Sequence, residues 1–185
     1  MPQTECLDFE LEVAVIIGRD ARDLTHEDAL GVIAGFTILN DWSARDLQAR
    51  EMALGLGPAK GKDFASSLGP VIATPDALAG DPGRPSARMS ARVNGAVYSE
   101  GQLASLHFSF ADLLVHASRD TVLRRGDVIG SGTVGGGCLL ELRHTSGASA
   151  HPWLRPGDVV ELDVEGIGTL RNTIVQAGAV DRRVG

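Results

Sequence analysis

Apolar and polar positions near the start of the chain alternate with a period of two: Phe9, Leu11, Val13 and Val15 are interleaved with Asp8, Glu10, Glu12 and Ala14. That period predicts a strand over Leu7–Ile17, ended by Gly18. Thr25 followed by Asp28 is a helix-start pattern, so a helix is expected to about Ala34, with Gly35 ending it. Phe36–Asn40 then reads as an apolar strand. Ser43 with Asp46 repeats the start pattern and predicts a short helix over Ala44–Met52, capped by Ser43. "GLGPAKGKDF" (Gly55–Phe64) carries the glycines and proline of a loop, and "ALAGDPGRPSA" (Ala77–Ala87) reads as a long surface loop. Alternation resumes on both sides of Asn94-Gly95, the strongest short-range hairpin signal. Ser109 with Asp112 opens one more helix, Phe110–Ser118. Strands are expected around Val128–Gly130, Leu139–Arg143, Val159–Val164 and Leu170–Val175, with turns at Pro156-Gly157-Asp158 and Gly166-Ile167-Gly168. Strands dominate and the helices are short, which predicts a β-rich α+β fold.

The composition narrows the possibilities. A chain of 185 residues can bury one sizeable core, and no repeat or linker divides it, so residues 1–185 are expected to form a single domain. Its 23 glycines fit many tight turns between short strands. A net charge of −7 argues against binding nucleic-acid phosphates. No apolar run approaches a membrane span, and the first residues do not form a signal peptide. Cys6 and Cys138 lie far apart and make no metal-type pair, so a cytoplasmic, thiol-reduced protein is expected.

The first strand also raises a chemical question. Side chains two apart on a strand share a face, so Asp8, Glu10 and Glu12 line up and repel one another. A solvated strand face would tolerate them. A hard-cation site would use them, because Mg²⁺ and Ca²⁺ take oxygen ligands. Asp41, placed where an apolar strand stops, is well placed to join Glu10 and Glu12. Arg45 and Gln48 are three apart on the following helix and face the same way, either as an ordinary polar face or over a bound metal. Arginine can grip a carboxylate with two hydrogen bonds, and glutamine offers a donor and an acceptor. The loop "GPAKGKDF" fails as a phosphate loop, because Leu56 and Asp63 stand where glycine and Ser/Thr are needed. Lys62 is then a lone ammonium carried toward the site, suited to proton transfer or oxyanion stabilisation. "GSGTVGGG" (Gly130–Gly137) reads either as a cradle of N–H groups beside the Thr133 hydroxyl or as a glycine-rich hairpin. Glu141 stands out as a carboxylate flanked by leucines in the expected strand "CLLELR".

Five segments, "LDFELEVAVIIG", "LNDWSARDLQ", "GLGPAKGKDF", "GSGTVGGGCLLEL" and "LRPGDVVELDVEGIGTLRN", together resemble the catalytic domain of the fumarylacetoacetate hydrolase superfamily, in the same order and over about Leu7 to Val175. The resemblance implies mixed β-sheets rolled around each other with short peripheral helices, a homodimer, and Mg²⁺ (or Mn²⁺ or Ca²⁺) in a deep pocket. It matches Glu10, Glu12 and Asp41 to metal carboxylates and Arg45, Gln48 and Thr133 to substrate-binding positions. Lys62 matches the active-site lysine, and Glu141 a glutamate that orients a nucleophilic water. Members of the superfamily usually carry a preceding lid segment with a histidine as general base. This sequence begins six residues before the first strand, and none of its histidines matches that position. A shortened form, or one completed by another chain, is therefore expected.

The function implied is metal-dependent hydrolysis of C–C bonds in small β-diketo or 2-oxo acids. Isomerisation or decarboxylation of 2-oxo or 2-hydroxydienoic acids in aromatic catabolism is the runner-up. A non-catalytic, metal-binding homologue is the competing class.

Overall fold

A computed structural model of the chain describes residues 4–55 and 57–176. Eight strands build two four-stranded sheets. The first uses β1 (Leu11–Ile17), β2 (Ile33–Asp41), β3 (Ser66–Ala73) and, later in the chain, Val128–Gly130; the second uses β4 (Arg88–Val93), β5 (Ala96–Gln102), Val159–Val164 and Gly168–Thr173. Numbered onward in chain order, Val128–Gly130 is β6, Val159–Val164 is β7 and Gly168–Thr173 is β8. The spatial orders are β6-β1-β2-β3 and β5-β4-β7-β8. Mixed sheets were expected, but every pairing among the described strands is antiparallel. The sheets pack against each other, with β8 on β3 and β7 on β2. Three eight-residue helices lie outside them: α1 (Arg45–Met52), α2 (Phe110–Ala117) and α3 (Leu139–Ser146). The fold is thus strand-rich α+β with short helices, as the sequence pattern predicts.

The core between the sheets is apolar and closed. Phe9, Leu11, Val13 and Val15, the odd positions of the first alternating stretch, are fully buried, and Phe36 meets Phe110 edge to face at 5.2 Å. Burying side chains of this size contributes about 1.5–3 kcal/mol each. The even positions Asp8, Glu10 and Glu12 are buried as well. A solvated face is therefore excluded, and these carboxylates need partners.

Several local expectations are corrected. The helix after Thr25 covers only His26–Ala29, with Thr25 capping it, and a 3-10 turn then leads into β2 three residues earlier than expected. Gly35 is therefore a strand residue rather than a helix stop: a Cβ there would lie 2.5 Å from the Ala73 carbonyl oxygen on β3. Residues 77–87 contain a small hairpin, Ala79–Asp81 with Arg84–Ser86, turned by an Asp81 side chain that accepts the Gly83 N–H. The expected strand Leu139–Arg143 is helix α3. Ser43 does not cap α1: its hydroxyl donates to the Asp41 carbonyl, and the position before the helix is Ala44. The final strand also sits two residues earlier than expected.

Asn94-Gly95 turns the β4–β5 hairpin with both residues at positive φ (53° and 82°), as that dipeptide predicts. Ser109 and Asp112 form the reciprocal capping box of α2.

Candidate metal and substrate site

Strand register brings the carboxylates together. Leu11 pairs with Asn40 and Glu12 with Leu39, so Asp41 falls beside Glu10 and on the same face as Glu12. One oxygen from each of Glu10, Glu12 and Asp41 lies within 4.8 Å of the others. The strand breaks at Glu10, which bridges to Cys138, and its N–H is taken by the Asn40 side chain at 3.1 Å. Gly130 makes room for the cluster: a Cβ there would sit 2.8 Å from Glu12 Oε2.

Two cations reach the cluster. Lys62 Nζ donates to Glu10 Oε2 at 2.6 Å and to Asp41 Oδ2 at 3.0 Å. Arg45 Nε donates to Asp8 Oδ2 at 2.8 Å, and its Nη1 to Gln48 Oε1 at 2.9 Å. Arg45 Nη2 lies 2.9 Å from Glu10 Oε1, as an ion pair without hydrogen-bond alignment. The guanidinium, expected to face a substrate carboxylate, is thus buried against the protein's own acids.

Glu12 pairs with no cation among the described residues. It accepts the Gly132 N–H at 3.1 Å and the Thr133 hydroxyl at 3.3 Å. Burial first, then repulsion from Glu10 and Asp41, pushes its carboxyl up to about 8. Burial also opposes ionisation of Glu10, but Lys62 and Arg45 outweigh it and hold Glu10 below the usual range. Asp8, Glu10, Glu12 and Asp41 against Arg45 and Lys62 leave two negative charges when all are ionised. One divalent cation would neutralise them, and the all-oxygen donor set suits a hard ion. The residues present therefore fit such a metal.

The remaining candidates divide. Thr133 joins the site through Glu12 and borders a cleft of about 290 Å³ also lined by Ser105, His107, Phe108 and Val134. The N–H groups of the "GSGTVGGG" turn serve the protein's own carboxylates: Gly132 bonds Glu12, and Gly136 bonds Glu141 at 2.5 Å. Glu141 itself is exposed on the first turn of α3 and makes no bond to the cluster.

Asp8 is the residue whose role the sequence concealed. Its carboxylate accepts the N–H groups of Leu139 (2.7 Å) and Leu140 (3.0 Å), so it caps α3 while it also holds Arg45. Burial pushes the Asp8 carboxyl up, against the pull of Arg45 and those two N–H groups. Its place on the Glu10–Glu12 face was the available signal.

Three converging carboxylates with a lysine beside them, set in an antiparallel β roll, define a candidate divalent-metal site in an enzyme-like fold. Residues 1–175 match the family described as fumarylacetoacetate (FAA) hydrolase C-terminal, and the chain belongs to that family. It is 34% identical over 171 residues to the oxaloacetate tautomerase YisK of Bacillus subtilis (strain 168), covering 92% of this chain and 53% of that protein. It superposes with a TM-score of 0.77 on a fumarylacetoacetate hydrolase from Exiguobacterium antarcticum, at 35% identity, over 95% of this chain and 58% of that one. A fumarylpyruvate hydrolase from Pseudomonas aeruginosa, in complex with Mn²⁺ and pyruvate, gives 0.79 at 25% identity, over 96% and 69%. The chain thus spans about half the length of the Bacillus relative. The acidic cluster and the Mn²⁺-bound relative both point to divalent-metal binding. No helix among the described residues is long and apolar enough to cross a membrane, and Cys6 and Cys138 are free thiols.

Proposed function

We propose that this chain is the metal-binding catalytic unit of an enzyme for small 2-oxo acids, and that its reaction is keto–enol proton transfer. The observation that carries the reading is Lys62 Nζ, held between Glu10 and Asp41 within the carboxylate cluster. Glu10, Glu12 and Asp41 would hold Mg²⁺ or Mn²⁺, which supplies Lewis-acid stabilisation of negative charge on the 2-oxo oxygen. Lys62 is the proton carrier. In the enol-to-keto direction the carbon next to the carbonyl takes a proton from the Lys62 ammonium. The enol hydroxyl gives up its own proton, which restores the ammonium by way of solvent, so no net proton is consumed. Arg45 orients Glu10, and Gln48, its carbonyl turned to Arg45, presents its amide NH₂ as a donor. The cleft beside Thr133 takes the far end of the acid.

This reading is preferred over C–C hydrolysis because it asks for fewer groups. Hydrolysis also needs a water activator, and among the described residues no histidine hydrogen-bonds Glu10, Glu12, Asp41 or Lys62. The likeness to a fumarylpyruvate hydrolase keeps hydrolysis of a β-diketo acid as the second reading.

The test follows the ultraviolet absorbance of enol oxaloacetate, and of an acylpyruvate in parallel, with Mg²⁺ or Mn²⁺ present. Wild type should speed ketonisation and Lys62→Met should lose about 10²–10⁴-fold. Acylpyruvate cleavage without ketonisation would replace the first reading by the second. Metal binding by calorimetry without turnover of either acid would make the chain a non-catalytic metal-binding protein.

A further inference from the structure

We propose that Glu51 is a positioning residue for Lys62: its carboxylate holds the lysine's loop at the height where the ammonium meets Glu10 and Asp41. The proposal rests on the reading of Lys62 as the proton carrier. Helix α1 presents residues 45, 48 and 51 at three-residue spacing, hence along one side. Arg45 and Gln48 serve the cluster, and Glu51, in the last turn, serves the loop. Glu51 Oε2 accepts the N–H groups of Ala59 (2.8 Å) and Gly61 (3.1 Å), and its Oε1 accepts that of Lys60 (2.7 Å). Three successive N–H groups converging on one carboxylate form an anion nest. Lys62 is the next residue.

The rest of the loop is built to that anchor. Lys62 and Asp63 donate their N–H groups to the Ala59 carbonyl, closing the turn, and the Gly61 carbonyl accepts the Ala44 N–H at 2.8 Å. The loop therefore touches both ends of α1. Gly61 has no room for a side chain, since a Cβ would lie 2.8 Å from the Gln48 nitrogen. On the solvent side the loop has little else to hold it among the described residues: Ala59 and Lys60 are exposed, and the surface pair Lys60–Asp63 contributes little. A lysine side chain is long and flexible, so its reach is set by where its backbone starts. A displacement of about 1 Å at a reacting group can cost on the order of 10²-fold in rate.

The experiment uses Glu51→Ala and Glu51→Gln in the full chain. Both should lower kcat for ketonisation, about 10–100-fold for Ala and less for Gln, which keeps the shape and one acceptor. KM and metal affinity should stay within about threefold, so that the loss falls on kcat alone. A second readout needs no activity. The chain has only two lysines, Lys60 and Lys62, so their ¹⁵N ammonium signals are resolved by one substitution. The Lys62 signal should be protected from exchange in wild type, weakened in Glu51→Gln and lost in Glu51→Ala. An unchanged kcat and an unchanged Lys62 signal would overturn the proposal, and so would a lower Tm with both unchanged, which marks a merely structural residue. A wild type inert toward 2-oxo acids would sink the proton-transfer reading alone, and the ammonium signal would still decide whether Glu51 places Lys62.

Discussion

Lys62 Nζ and Glu10 Oε2 lie 2.6 Å apart, although 52 positions separate the two residues in the chain. Lys62 also reaches Asp41, so one ammonium ties these two carboxylates together. Glu12, by contrast, has only neutral donors among the described residues. That asymmetry organises the predictions.

Glu12→Gln should act with opposite signs on the metal-free and metal-bound protein. Without metal, it removes a carboxyl that burial and two acidic neighbours already disfavour as an anion, so Tm at pH 8–9 should stay level or rise. With metal, one anionic ligand is gone, and calorimetry should show Mg²⁺ and Mn²⁺ binding at least about tenfold weaker. Wild type should gain about 2.7 kcal/mol at a hundred times Kd by mass action, read as a rise in Tm. Equal affinity in the two proteins would remove Glu12 from the ligand set.

The pH dependence follows from the same carboxyl. Its folded pKa is raised, from 4.5 to about 8, so between those values the folded chain binds more protons than the unfolded one. Stability from this group is full below about pH 4.5 and is lost as pH rises through 8. Metal must displace that proton. Titrations in buffers of different ionisation enthalpy should show roughly one proton released at pH 6 and few at pH 9. Proton release that does not vary with pH would count against it.

Arg45 lies almost fully buried among Asp8, Glu10 and Gln48. Removing one partner of a buried ion pair typically costs about 3–5 kcal/mol, because the other charge is stranded. Arg45→Ala should reach that range in urea denaturation. Arg45→Lys should also fall well short of wild type, since an ammonium cannot reproduce the forked contacts to Asp8 and Gln48. A cost under about 1 kcal/mol for Ala would mean the guanidinium is solvated in solution.

Gly130→Ala tests whether that glycine is there for the site. The new methyl would sit 2.8 Å from Glu12 Oε2 and 2.9 Å from Leu39 Cδ2. Glu12 would have to turn away from Gly132 and Thr133. Overpacking of this kind costs about 1–3 kcal/mol, and metal affinity should fall while the circular dichroism spectrum stays that of wild type. Unchanged metal affinity would show that Glu12 has slack.

Local signals were legible where short-range physics decides. Asn94-Gly95 accepts positive φ at both positions, and Ser109 with Asp112 satisfies its own helix end, so both were readable from neighbours alone. The period of two put Glu10 and Glu12 on one face, and the end of an apolar strand drew attention to Asp41. The failed phosphate loop already carried Lys62 toward the site, and the resemblance matched it to an active-site lysine; its bonds to Glu10 and Asp41 come from the structure. "CLLELR" misled because a short apolar run suits a strand or a helix equally. What chose the helix is Asp8, which caps Leu139 and Leu140 from 131 and 132 positions away. Ser43 misled for the same reason in reverse: its hydroxyl found the Asp41 carbonyl nearer than the helix end.

The sequence by itself determined the strand-rich class, the main hairpin and the acidic residues, because these depend on the period of side chains along a few residues. The tertiary structure alone decided which carboxylates have cations. Arg45 turned inward to Asp8 and Glu10, Lys62 was set beside Glu10 and Asp41 by a loop anchored on Glu51, and Glu12 was left with a hydroxyl and an N–H. Charge pairing falls off with distance through a low-dielectric interior, so it depends on separations of a few ångströms between segments that only the packed sheets bring together.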